Sequence, residues 1–187
     1  MKKFLAFLFD VVKMVVISLA IIIPVRYFLI QPFYVKGASM EPNFHENEYL
    51  MVDEISYRFS PPKRGDVIVF RYPKDPQEYY IKRLIGLPGE TVEIKDGSVY
   101  IIDAAGSTSK VEENYLPSYV STVALASEPV KLAADEYYMM GDNRNGSKDS
   151  RSFGPVKKSF VIGRVFLRGW PINEFGLIPA GSSVLTK

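Results

Sequence analysis

The 187-residue sequence contains no cysteine and a single histidine, His45. Without cysteine there are no disulfides, no thiolate metal sites and no cysteine nucleophile. With one histidine, a transition metal has almost no nitrogen or sulfur ligands to use, and a serine–histidine triad would rest on His45 alone. An excess of one charge is also missing. The 23 basic and 21 acidic residues leave +2, too even for the basic stripe of a nucleic-acid binder. Asp142-Asn143-Arg144-Asn145-Gly146 begins like a calcium loop, but Arg144 and the lack of a distal glutamate argue against one. No metal, no organic cofactor and no nucleic-acid partner are expected.

What is present starts with one long apolar segment. Phe4 to Ile30 is apolar except for Asp10, Lys13, Ser18 and Arg26. The uncharged centre, Met14 to Val25, is short. Snorkelling of Lys13 and Arg26 extends it to Met14–Ile30, about 25 Å of helix at ~1.5 Å per residue, the lower limit of a membrane span. Pro24, Arg26, Tyr27 and Phe28 stand where the small-x-small site of a cleaved secretory signal would lie, which favours an uncleaved anchor over residues 1–30. Lys2, Lys3 and Lys13 precede the span, against Arg26 and Lys36 after it. That bias predicts a single-pass protein of the cell membrane, with a cytoplasmic N-terminus and residues 31–187 outside the cytoplasm.

Beyond the anchor the periodicity is that of strands. Asp66–Tyr72 is an apolar run suited to a strand covered on both faces, and Tyr79–Ile85 is strand-like. Thr91–Lys95, Asp96-Gly97 and Ser98–Ile102 read as a hairpin with an Asp-Gly turn. Phe160–Arg168 is a further strand, ended by Gly169-Trp170-Pro171. Residues 103–135, richer in Ala, Ser, Thr, Glu and Lys, look like an inserted cap. The expected fold is mainly β: a transmembrane helix, then an antiparallel β-sheet domain carrying a small cap.

Two side chains invite chemistry. Ser39 lies in Gly37-Ala38-Ser39-Met40-Glu41-Pro42, and Lys82 in the strand Tyr79–Ile85. A serine needs a base to become a nucleophile, and a lysine amine serves if its pKa falls by about three units. In a strand Lys82 shares a face with Tyr80 and Leu84, so desolvation works in that direction, and a neighbouring arginine charge would add to it. From pattern alone the plainer alternatives stand: Lys82 reaching to water, Ser39 in an ordinary turn, His45 in a surface turn.

Taken together and in order, four blocks resemble those of the type I signal peptidases, membrane-anchored Ser–Lys endopeptidases. They are Gly37–Pro42, Lys63–Phe70, Tyr80–Glu90 and Gly141–Gly154. The overall length is similar to the shorter, Gram-positive type. The resemblance implies Ser39 as nucleophile, Lys82 as general base, Ser147 orienting the amine, and Asp149 with Arg151 supporting the site. Gly37 stands where many relatives carry a serine that helps bind the oxyanion, which leaves that task to backbone N–H groups, chiefly that of Ser39. Phe153 replaces a frequent tryptophan.

The family also implies cleavage of exported preproteins after small-x-small, typically Ala-x-Ala, sites at the bilayer surface, from a shallow cleft whose strand edges pair with an extended substrate. Phe33, Tyr34, Met40 and Phe44 suit either the lipid interface or core packing. Ala124-Leu125-Ala126 fits the small-x-small pattern, making it a candidate for self-cleavage. Two other functions compete. A soluble self-cleaving repressor-type peptidase is disfavoured by the anchor, and an inactive anchored binding protein by the presence of both Ser39 and Lys82.

Overall fold

The structure is a computed structural model that describes residues 2–28, 30–125, 128–181 and 184–186. It opens with helix α1 (Lys2–Phe28), whose window Lys3–Ile22 is long and apolar enough to cross a membrane. Those 20 residues are exposed on every side, as expected of a helix whose apolar surface is matched by lipid and not by the rest of the chain. That window overlaps the expected Met14–Ile30, and α1 itself continues to Phe28. It tolerates Asp10 and Lys13, which sit three apart on the helix and so on adjoining positions of one face. Ile30 already belongs to the first strand.

Among the described residues, thirteen strands follow. In chain order they are β1 (Ile30–Tyr34), β2 (Tyr49–Asp53), β3 (Val67–Tyr72), β4 (Asp75–Gly86), β5 (Thr91–Lys95), β6 (Ser98–Ile102), β7 (Thr108–Glu112), β8 (Val130–Lys131), β9 (Glu136–Met140), β10 (Val156–Lys157), β11 (Val161–Trp170), β12 (Gly176–Leu177) and β13 (Val184–Thr186). Besides α1, the described α-helices are two single turns, α2 (Ser56–Phe59) and α3 (Ser150–Phe153). The larger sheet has the order β1-β2-β11-β3-β4-β9-β10, with β12 beside β11; the smaller has the order β13-β7-β6-β5-β8. Every pairing is antiparallel.

Local sequence explains these elements. In β3, Val67–Phe70 are all buried, so the run is covered on both faces. The β5–β6 hairpin pairs Lys95 with Ser98, leaving Asp96 (φ +48°) and Gly97 (φ +74°) as its turn. Positive φ at both positions is the geometry that Asp-Gly supplies. β4 is long enough to serve both halves of the domain. Gly86 ends it where a Cβ would come within 3 Å of Val92, Leu132 and Tyr138.

β1, β2, β11, β3 and β4 curl around one core that contains Val35, Leu50, Val52, Val67, Val69 and Val165, with Phe33 and Ile81 packed against it from the two ends of that strand order. Met40 and Phe44 are buried in the same core, which decides for packing there; Phe33 is half-buried and only Tyr34 of that quartet is exposed. Residues 103–135 supply β7 and β8 to the smaller sheet. Ala126 lies outside the described residues.

Gly163 marks a close approach within the larger sheet. A Cβ there would sit 2.3 Å from the Asp53 carbonyl oxygen, on the backbone of β2. Gly163→Ala is expected to cost about 1–3 kcal/mol of stability through forced separation of the strands. Chemical denaturation in detergent would measure it, and an unchanged midpoint would contradict the packing described.

Candidate active site

Ser39 is presented by a turn that the core holds from below. Past β1 the chain stays beside its neighbour, with Val35 N–H donating to Glu48 O (2.9 Å) and Asn47 N–H to Val35 O (3.0 Å). Gly37 then turns it away at φ +80°, a conformation that strains any residue with a Cβ. Met40 O accepts from the N–H groups of Asn43 and Phe44 at 3.1 and 3.0 Å. Arg168 of β11 braces the far side, pairing with Glu48 at 2.9 Å, donating to Asn43 O and lying 5.1 Å over the Phe44 ring. Buried anchors on either flank thus leave Ser39 half-exposed at the tip. No hydrogen-bond acceptor for its N–H is found among the described residues.

Lys82 comes from the middle of β4, opposite Ile68 of β3, and is 3% exposed. Its Nζ donates to Ser39 Oγ (2.6 Å) and to Ile81 O (2.8 Å), and lies 5.3 Å from the centre of the Tyr80 ring. Burial lowers its pKa to about 8, while the negative charges of Asp149 and Asp142 pull the other way. The expected arginine contribution is not what moves it. Arg83 points to the opposite face of β4, where it is committed to Asp142.

Both carboxylates belong to the loop 141–151, and each is neutralised by a two-pronged arginine contact. Asp149 accepts from Arg151 Nε (2.9 Å) and Nη2 (2.8 Å), and from Gly141 N–H (3.0 Å). Burial alone would raise its pKa. Arg151, the Gly141 N–H and the nearby Ser147 hydroxyl outweigh that and hold the carboxyl below its ordinary value. Asp142 accepts from Arg83 Nε (2.8 Å) and Nη2 (2.6 Å) and from Asn43 Nδ2 (2.9 Å). Asn143 ties the loop to the nucleophile turn, its N–H donating to Ser39 O (3.1 Å) and its Nδ2 to Ala38 O (3.0 Å).

Ser39, Lys82, Asp149 and Arg151 are thus brought together. Ser147 lies in the same loop, its Oγ buried beside Gly141 and Asp149 with no hydrogen-bond partner among the described residues; the amine's own hydrogen bonds go to Ser39 Oγ and Ile81 O. His45 is exposed and faces Glu41 at 3.8 Å, away from the pair. Phe153 fills its place by ring contacts with Tyr72 (5.3 Å), Tyr80 (6.3 Å) and Phe70 (6.4 Å). Sequence reasoning gave no site role to Asp142 or Asn43 and counted Arg83 only as a charge beside Lys82. The period-two alternation of β4 signals that Arg83 opposes Lys82, but not what it meets.

A groove of about 690 Å³ leads to the pair. One wall is Phe33–Ser39, the other Glu78–Lys82, with Leu50 and Val69 between and Gly146 and Lys148 at the rim. β1 ends the strand order on one side, and β9 pairs with β4 only from Arg83 onward. Both walls therefore present strand edges. They meet at the two ends of the groove, Ser39 with Lys82 at one and the rings of Phe33 and Tyr79, 5.6 Å between centroids, at the other.

Comparison with known proteins bears on this arrangement. Residues 8–170 match the family model described as signal peptidase, peptidase S26. The chain is similar to a signal peptidase I of Leptolyngbya laminosa, 38% identical over 180 residues, covering 90% of this chain and 83% of that protein. It is similar also to a signal peptidase I of Bacillus licheniformis, 36% identical over 170 residues, covering 89% and 91%. Among solved structures, a signal peptidase I from Enterococcus faecalis V583 is 35% identical, with a TM-score of 0.45 over 57% of this chain and 97% of that one.

The buried amine has a thermodynamic signature. A folded pKa of about 8, below the unfolded value near 10.4, means the unfolded chain binds more protons between those values, so stability rises with pH across that window. Below pH 8 the full cost of about 3 kcal/mol opposes folding. Lys82→Met is expected to be more stable than wild type at pH 7, with the advantage shrinking from pH 8 to 10. Equal pH dependence of the two proteins would contradict a desolvated amine.

Proposed function

The chain belongs to the S26 family of signal peptidases, and we propose that it removes N-terminal signal peptides from exported preproteins with Ser39 as nucleophile and Lys82 as general base. The observation that carries this reading is the 2.6 Å contact between a buried lysine amine and a serine hydroxyl at the end of a strand-edged groove. A lysine in water is almost wholly protonated at neutral pH; burial leaves Lys82 with a useful neutral fraction.

Neutral Lys82 takes the Ser39 proton as Oγ attacks the scissile carbonyl, and the Ser39 N–H faces the developing oxyanion. The ammonium returns its proton to the leaving amine, freeing the new N-terminus of the exported protein and leaving an acyl-enzyme. Water, deprotonated by the same amine, then releases the signal peptide, and Oγ recovers its proton. Asp149 and Asp142 temper the depression of the lysine pKa, while Arg151 and Arg83 limit how far.

The substrate lies as an added strand between the edges of β1 and β4. From Lys82 back to Tyr79 is about 10 Å at ~3.3 Å per residue, room for three substrate residues between the cut and the aromatic contact. A groove narrowed to touching rings at that distance suits small residues at the first and third positions before the cut. The anchor sits in the cell membrane with its lysine-bearing N-terminus in the cytoplasm, and residues 31–187 work at the opposite surface, where preproteins emerge.

With a preprotein bearing an Ala-x-Ala site, Ser39→Ala and Lys82→Ala are each expected to lose about 10³-fold or more in kcat. Mass spectrometry of the products locates the cut. Wild-type kcat is expected to rise by about tenfold per pH unit on the acid side and level off near pH 8. Turnover by Lys82→Ala would assign the base elsewhere. Tyr79→Ala is expected to admit larger side chains at the third position, and an unchanged preference there would detach Tyr79 from specificity.

A further inference from the structure

Between β7 and β8, residues 113–123 adopt no regular structure, and none of them lines the groove. Buried arginines nevertheless run from the site to this stretch. Arg144 donates through Nε to Gly141 O (3.0 Å) and through its terminal nitrogens to Glu113 (2.9 Å) and to Thr122 Oγ1 (2.5 Å). Arg151, paired with Asp149, reaches Val123 O at 3.4 Å. Arg83, paired with Asp142, has its flat face covered by the Tyr115 ring at 3.9 Å.

Tyr115 is where these lines converge. Its carbonyl accepts from Asn43 Nδ2 (2.8 Å), the same group that reaches Asp142. Its hydroxyl donates to Glu113 (2.6 Å) and accepts from Arg144 (3.2 Å). Asn43 sits four residues from Ser39, Arg83 follows Lys82, and Arg144 fixes the carbonyl of Gly141. At Gly141 the packing is so close that a Cβ would fall 2.4 Å from Ser39 O and 2.1 Å from Ser147 Oγ.

We propose that residues 113–123 form a strap that seats the loop 141–151 against the nucleophile turn, and that Tyr115 is its positioning residue. The proposal rests on the Ser39–Lys82 reading above. Stacking on Arg83 shuts water out of the Arg83–Asp142 pair, and in that setting the two-pronged geometry is strongly preferred. With Asp142 fixed, Asn43 and the turn it belongs to are fixed too. The strap touches no substrate, so its loss acts on the alignment of Ser39 with Lys82 and leaves binding in the groove alone.

The test uses the full chain in detergent with the Ala-x-Ala preprotein, measuring kcat, KM and the thermal melt. Tyr115→Ala is expected to lower kcat by about 100-fold, the effect of a misplacement near 1 Å, with KM within about threefold of wild type and a cooperative melt retained. Tyr115→Phe keeps the ring over Arg83 and is expected to stay within about fivefold of wild-type kcat, since Arg144 and Glu113, which lose the hydroxyl, remain bonded to each other. Wild-type kcat in a folded Tyr115→Ala, or a loss confined to KM, overturns the proposal. If Tyr115→Ala does not fold, Thr122→Val decides: it removes one acceptor from Arg144 and should lower kcat by about tenfold at unchanged KM, and unchanged kcat overturns the strap. Ser39→Ala and Lys82→Ala are run alongside. Activity in either one fails the underlying reading and is distinguishable from failure of the strap.

Discussion

A lysine amine held dry against a serine hydroxyl is unstable unless everything around it is fixed. Water would reprotonate Lys82, and a shift of an ångström would part it from Ser39. The fold meets both demands by distance from solvent and by charge that is already paired. β3 and the Tyr80 ring bury the amine, and Ile81 O gives it a second acceptor. The two nearby carboxylates each carry an arginine of their own, so the amine feels their negative charge only in part. An unpaired Asp149 beside Lys82 would hold the lysine protonated; an unpaired Arg151 would repel it. Removing either partner leaves a buried charge exposed to the other groups of the site.

How far the sequence discloses this depends on the range of the interaction. Features set within a few residues were legible: the Asp-Gly hairpin, the doubly covered β3, the apolar N-terminal helix, and the alternation that aims Lys82 and Arg83 to opposite faces of β4. The serine and lysine became a pair only through the resemblance, because 43 residues separate them and no local pattern joins them. Of the arginine partners, Arg151 with Asp149 came through the resemblance, and the longer-range pairs were not legible. Arg144 and Glu113 are 31 residues apart and Arg83 and Asp142 are 59, separations at which periodicity carries no information. The same blindness covers residues 103–135. Their composition marked them as different from the flanking strands, and only the folded chain shows that residues 113–123 among them meet the arginines of the site and line none of the groove.

The span was drawn from Lys13 and Arg26, whose snorkelling extends the apolar run over Met14–Ile30; the helix also carries Asp10 and Lys13 within the apolar window Lys3–Ile22, and a strand begins at Ile30. For Ser147, a hydroxyl two residues before Asp149 can face the lysine or the aspartate, and sequence alone does not choose; in the structure its Oγ lies beside Gly141 and Asp149.

A sheet in which the β1 edge faces the unpaired part of β4 across a groove has a general liability. Each edge offers unpaired backbone donors and acceptors to any extended chain, including another copy of itself, and exposed edges of this kind are how sheet proteins aggregate. Here the groove is walled in rather than laid open: the opposing edge stands across the gap, aromatic rings meet at one end and Lys82 with Ser39 at the other. A flat strand of a neighbouring molecule, attached to the rest of its own sheet, fits such a gap poorly, whereas a free, slender segment needs only its own width. An edge faced by another edge thus favours single extended chains over whole sheets.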